Sequence, residues 1–176
     1  MIEPGDNLAE PRLVQVADVA MPDGRPARVR LYATGRLAPE AQVRFAMVFV
    51  QDAAGRFAAV FSPKRGEWGC PGGHREPGES VTDTALREVL EEAGLVLARE
   101  RLRPRGYERF EPAAVGDEWP GGYLQVYSVR LREGMPALRS SFPDAVDACW
   151  LAWDDLGDRC DHLFWWPLAE ALFGAP

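Results

Sequence analysis

The 176-residue chain suits one domain of ordinary size: 47% of its residues are apolar, enough for a core, and charges interrupt every apolar run before it reaches membrane-spanning length. Its formal net charge is −7, with Arg and Lys scattered. That balance argues against a broad electrostatic grip on duplex nucleic acid, whereas a polyphosphate can still bind through a bridging cation.

Residues 1–12 are expected as a loose lead-in. Glu3, Asp6 and Glu10 stand there with no basic residue ahead of an apolar run, unlike a secretory leader. Leu13–Ala20 and Ala27–Ala33 read as two strands around the turn Met21-Pro22-Asp23-Gly24. Val43–Gln51, rich in Val and Phe, is a strong strand; Asp52-Ala53-Ala54-Gly55 turns it, and Arg56–Ser62 returns as a hairpin partner. Pro63 to Gly78 is dense in Gly and Pro and reads as a loop. A helix follows, with Ser80 or Thr82 as its cap, Asp83 near the positive end of its dipole and Gly94 as its stop. Leu102–Phe110, Tyr123–Arg132 and Asp147–Leu151 are further strands, and Asp161 to Phe173 a closing helix kinked or broken at Pro167. The pattern predicts an α/β domain with a mixed sheet packed between helices, residues 1–176 forming a single unit and 1–42 an N-terminal strand-pair extension. Cys70, Cys149 and Cys160 show no paired metal-ligand spacing and fit buried thiols in a reducing cytoplasm.

The segment Gly73 to Leu95 carries the chemistry. On a helix, Glu88, Glu91 and Glu92 sit at i, i+3 and i+4 and project from one face, while Leu86, Val89, Leu90 and Ala93 turn mostly toward the sheet. Three like charges on adjacent turns repel, and a divalent cation removes that cost, because carboxylate oxygens are the ligands Mg²⁺ prefers. Gly72 and Gly73 let the backbone approach closely enough for a carbonyl to join a metal shell. Arg87 beside the cluster and Glu79 ahead of the helix form a pair that can hold helix against loop. From composition alone, a Glu-rich helix is more often a solvated face; the full spacing reverses that preference.

In this spacing the chain resembles the Nudix hydrolase family. Gly73, Glu79, Arg87, Glu88, Val89, Glu91, Glu92, Gly94 and Leu95 fill all nine defined positions of the family's box without a gap. At ordinary residue frequencies a chance match at a given start is rarer than about one in 10⁸. The hairpin before the box, the loop Trp68-Gly69-Cys70-Pro71-Gly72 and the later Ala148-Cys149-Trp150-Leu151 extend the likeness more weakly, over roughly Val43 to Leu156.

The resemblance implies a Nudix-type α/β/α sandwich and metal-dependent hydrolysis of a pyrophosphate bond. The substrate class it implies is a nucleoside diphosphate linked to another group. Glu88, Glu91, Glu92 and the carbonyl of Gly72 would hold Mg²⁺, with Mn²⁺ as a substitute, and Glu88, Glu91, Arg87 and Glu79 would serve catalysis. The general base is open between Glu88, Glu91 and a carboxylate on a later loop. A Nudix-fold module that binds nucleotides without hydrolysis is the alternative. The arrays that mark the family's coenzyme A and NADH types are absent. Pro112 falls close to, but slightly beyond, the proline of the ADP-ribose type. The N-terminal strand pair resembles the extra sheet of nucleotide-sugar hydrolases, which favours that class; nucleoside triphosphates and dinucleoside polyphosphates stay open. The expected partner is a small nucleotide, with no duplex nucleic acid or membrane, and the assembly is open between monomer and homodimer.

Outside the box, Glu108, Glu111, Glu118 and Asp144 are candidates for a further ligand or base, though each taken singly reads as a surface carboxylate. His74 reads as a spectator, Cys70 as an inward-packed thiol, and Trp165 and Trp166 as core or dimer contacts rather than a base-stacking platform.

Overall fold

The computed structural model describes residues 10–21, 24–113, 119–132, 134–141 and 147–174; part of the lead-in, Pro22 and Asp23 of the first turn, Glu118 and Asp144 lie outside them. One mixed sheet organises the molecule. Its strands are β1 (Arg12–Ala20), β2 (Pro26–Ala33), β3 (Val43–Gln51), β4 (Phe57–Ser62), β5 (Glu67–Gly69), β6 (Gly72–His74), β7 (Arg103–Pro112), β8 (Gly122–Arg130) and β9 (Asp147–Leu151). The order is β1-β2-β7-β8-β3-β4-β5, with β6 on β3 and β9 on β4.

β3 is buried along almost its whole length because it is central. It pairs in parallel with β8, with Met47 opposite Val126, and every other pairing is antiparallel. Its alternate side chains divide the core in two. Ala46, Val48 and Val50 pack with Val81, Ala85, Val89 and Ala93 of helix α1 (Val81–Ala93). Met47 and Phe49 pack with Leu156 of α2 (Trp153–Cys160) and Trp166, Leu168 and Leu172 of α3 (Trp166–Phe173). The α/β/α layering expected from the sequence is therefore present, with α1 on one face and α2 and α3 on the other. No helix among the described residues is long and apolar enough to cross a membrane.

Four expectations need correction. The β3–β4 turn forms, closed by the Asp52 N–H donating to Arg56 O at 2.9 Å, but the strands share only the pair Gln51–Phe57. Beyond it they splay, because β6 takes the edge of β3 while β9 and β5 take β4. The Gly/Pro-rich stretch read as loop contains β5 and β6, each held by its pairing with β4 or β3. Gly72 lies against β3 so tightly that a Cβ would stand 2.5 Å from Ala46 O. The N-terminal pair is no separate sheet: β2 continues the main one on β7, from Ala27–Pro112 to Ala33–Gly106.

The closing helix, finally, starts at Trp166 rather than Asp161, with Pro167 in its first turn, where its missing N–H costs nothing. Helix α2 precedes it unannounced. Its sequence is poor in strong helix formers, and tertiary contact holds it: Trp153 stacks on Trp166 at 4.8 Å, and Gly157 leaves room for that same indole.

Candidate active site

Helix α1 brings the box together. Ser80 Oγ caps it by accepting from Asp83 N–H at 3.1 Å, and Gly94 ends it in the left-handed conformation, φ 70°. Leu90, expected toward the sheet, is 47% exposed, whereas Glu88, about 200° round the helix from it, is only 8% exposed. Helix geometry explains the difference: Ala85, Val89 and Ala93 set the packed stripe, and Glu88 borders it where the wall is bare glycine. A Cβ on Gly73 would stand 2.4 Å from Glu88 Oε1.

Arg87 is the hub of the site. Its Nε donates to Glu79 Oε1 at 2.7 Å, its Nη1 to Glu88 Oε1 at 2.8 Å and to Glu91 Oε2 at 2.9 Å, and its Nη2 to the backbone carbonyl of His74 at 2.8 Å. Helix, preceding loop and β6 are thus tied by one guanidinium. Glu79, held by Arg87 and by the backbone N–H of Glu76, is drawn down to about 2. Glu88 is pushed up, first by burial and against the pull of Arg87. Glu92 accepts from Gly72 N–H at 2.8 Å; burial, and secondarily its like-charged neighbour Glu88, pushes it up to about 7.

All donors here are hard oxygens, the chemistry a divalent cation takes, and two of the carboxylates, the buried Glu88 and the half-buried Glu92, are desolvated at the cost of their charge. That is the electrostatic condition a cation relieves. Among the described residues, however, no three acidic, imidazole or thiol groups converge on one ion as they stand. Glu88 and Glu91 turn to Arg87, and Glu92 to Gly72 N–H. The residues fit a hard cation by type and burial, and would gather on it by exchanging those partners.

The remaining candidates scatter. Glu108, read as a surface carboxylate, is 1% exposed; it pairs between Leu31 and Leu124 on the sheet face opposite α1, so it cannot join the cluster. The alternation of β7 places it inward, and neither of its oxygens has a hydrogen-bond partner. Glu111 pairs with Arg30 at 2.8 Å and Arg109 at 3.1 Å. Trp165 and Trp166 are buried in the core, as are Cys70 and Cys160, while Cys149 is half-buried. Residues that sequence reasoning did not gather form a cleft of about 450 Å³ bordered by Arg25, Arg44, Phe45, His74, Phe110 and Trp119. They come from distant stretches of chain, and only His74 lies within the box, at one of its undefined positions.

A family model described as the NUDIX domain matches residues 41–172, and the chain belongs to that family. It is 30% identical over 101 residues to a nucleoside triphosphate pyrophosphatase/Nudix hydrolase fusion protein of Bifidobacterium longum, covering 57% of this chain and 19% of that one. Over 41 residues it is 46% identical to the uncharacterized Nudix hydrolase YvcI of Bacillus subtilis, covering 23% and 26%. The chain thus spans about a fifth and about a quarter of the lengths of these curated relatives. In fold it is similar to the NUDIX domain of Shewanella oneidensis NrtR, solved with ADP ribose, with a TM-score of 0.57 at 19% identity over 77% of this chain and 93% of that one. Strands β1 and β2 precede the family match.

Proposed function

We propose that the protein is a divalent-metal-dependent pyrophosphohydrolase acting on a nucleoside diphosphate linked to another group, of nucleotide-sugar or ADP-ribose type, with nucleoside triphosphates as the next class. The observation that carries this reading is the complete box folded as one unit: Glu88 seated on Gly73, Glu92 on Gly72, and Arg87 joining Glu79, Glu88, Glu91 and β6. Glu88, Glu91, Glu92 and the Gly72 carbonyl would hold the metal, which when bound acidifies water and neutralises phosphoryl charge.

The chain's own residues supply position. Water adds to phosphorus in line, the bridging P–O bond breaks, and the water's proton passes to a carboxylate, Glu88 or Glu91. Arg87, anchored at Glu79, keeps those carboxylates beside β6, so that the reacting group meets a preset array of charge. The bond network also explains why Glu79 belongs in the box although it lies outside the i, i+3, i+4 set.

The test is phosphorus NMR of varied diphosphates in oxygen-18 water. Two phosphorylated products should form with Mg²⁺, one carrying solvent oxygen; turnover should stop in EDTA and fall by orders of magnitude in Glu88→Gln. Ligand that stays intact for hours with Mg²⁺ across the panel would establish a binding module instead.

A further inference from the structure

Of the 20 Lys and Arg residues in the chain, one is a lysine, Lys64. It stands with Arg65 at the tip of the β4–β5 hairpin, where Ser62 pairs with Glu67 and the N–H groups of Arg65 and Gly66 both donate to Ser62 O, at 3.2 and 2.8 Å. Two residues, Cys70 and Pro71, lead from β5 into β6, and Pro71 O accepts from Val48 N–H at 2.9 Å. Hairpin and β6 are thereby fixed on the central strands β4 and β3.

The two cations of the tip act on opposite faces of β6. The Cβ direction of Gly73 points at Glu88 on the α1 side, and the next residue, His74, turns the other way, its ring 4.4 Å from that of Phe45. Burial, and after it the charge of Lys64, draws the His74 pKa below its ordinary value, so the ammonium lies within electrostatic reach of that ring. On the α1 side, burial pushes Glu92 up, and the Gly72 N–H and, more weakly, Arg65 pull it back.

The arginines around β6 are committed. Arg65 Nε donates to Glu67 Oε1 at 3.0 Å, Arg75 to the carbonyls of Glu79 and Glu40, each at 2.7 Å, and Arg87 to Glu79, Glu88 and Glu91. Lys64 is exposed and has no hydrogen-bond or ion-pair partner among the described residues. Its residue type fits the place. Beside carboxylates a guanidinium is captured, as Arg87 is, whereas an ammonium is a compact point charge on a long stem that exchanges partners readily. The carboxylates here outnumber the guanidinium among them, so a divalent cation offsets only part of their negative charge, and a diphosphate adds more.

We propose that the Lys64 ammonium binds a non-bridging phosphoryl oxygen of the substrate at the free edge of β6, beside the phosphate held at the carboxylate cluster, and so selects a diphosphate over a monophosphate. The inference rests on the pyrophosphohydrolase reading for its ligand. β6 pairs only with β3 among the described residues, which leaves its other edge open to a chain of two phosphates. A single phosphate at the cluster gains nothing from Lys64. A second one, a bridging oxygen further on, meets the end of its four-carbon stem.

Binding and labelling test the proposal without turnover. The probes are methylenediphosphonate, a diphosphate that cannot be hydrolysed, and orthophosphate, each with Mg²⁺. They are titrated into wild type, Lys64→Ala and Lys64→Arg, whose thermal melts should coincide because the side chain packs on nothing. The diphosphonate should bind wild type more tightly than orthophosphate. Lys64→Ala should weaken the diphosphonate by about tenfold, the size expected for one partly exposed charge-assisted hydrogen bond, and leave orthophosphate unchanged. Lys64→Arg should recover most of the loss. Trinitrobenzenesulfonate labelling of Lys64, read from the mass of its peptide, should be slowed by the diphosphonate and not by orthophosphate. A diphosphonate that fails to bind, equal losses for both probes, or undiminished labelling would overturn the proposal. Protection and selective loss in a protein that hydrolyses nothing would keep the Lys64 site and remove the hydrolase reading; hydrolysis with Lys64 unprotected would do the reverse.

Discussion

Gly73 and Gly72 are adjacent glycines with different jobs. At Gly72 an added methyl would meet the backbone of β3, 2.5 Å from Ala46 O and 2.9 Å from Met47 Cα, and that backbone cannot yield without moving the strand. At Gly73 it would meet only the end of the Glu88 side chain. Gly73→Ala is therefore expected to fold, with Glu88 rotated away from Arg87 and from β6. On the role proposed for Glu88, hydrolysis should fall at least about tenfold, while the melting temperature falls by only a few degrees. Wild-type turnover in Gly73→Ala would show that the seat of Glu88 is unimportant. The glycines' close approach was legible in the sequence, but which neighbour each approaches was not, because that depends on β6 pairing with β3 and packing under α1.

At the scale of the element, α1 shows what local sequence can decide. Ser80 and Gly94 bound it as expected, because capping and the left-handed stop are chemistry of single residues. What its last turn binds was not legible. Arg139 N–H donates to Ala93 O at 3.1 Å and Ser141 N–H to Glu91 O at 2.9 Å, so a segment far along the chain satisfies the helix's free carbonyls. Gly94 makes this junction: an alanine there would be strained at φ 70°, and its Cβ would stand 2.5 Å from Arg139 O. Gly94→Ala should destabilise the protein by more than about 1 kcal/mol in denaturant titration, and speed hydrogen exchange at Arg139 and Ser141. Unchanged stability would mean that the segment adapts freely. The elements missed from sequence, β5, β6 and α2, share one cause: each is short and held by tertiary partners rather than by propensity.

The whole molecule carries its ionisable groups under opposite constraints, and stability should record both. Glu79 is held down, to about 2, chiefly by its hydrogen bond from Arg87. Its contribution is present above the unfolded carboxylate range and is lost as pH falls toward that value. Glu108 is the reverse: burial alone, between Leu31 and Leu124 and with no partner for either oxygen, pushes it up to about 8. Taken singly in the sequence it read as a surface carboxylate; its register on β7 between Leu31 and Leu124 places it inward, and nothing in the sequence indicated that it lacks a counter-ion. Its folded form binds a proton that the unfolded chain releases near the ordinary carboxylate value, so its stabilising proton is fully in place only at acid pH. Stability from this group then declines as pH rises through about 8. Glu108→Gln cannot ionise and removes that slope. The stability difference, variant minus wild type, should grow between about pH 5 and pH 8 and reach a few kcal/mol, while Glu108→Leu should follow the same slope from a higher base. Because α1 lies on the other face of the sheet, hydrolysis should be retained in both variants. The measurement is chemical denaturation of wild type and the two variants across that range. Parallel profiles for wild type and Glu108→Gln would mean that Glu108 finds a partner when it ionises, and the unpartnered reading of its carboxylate would fall.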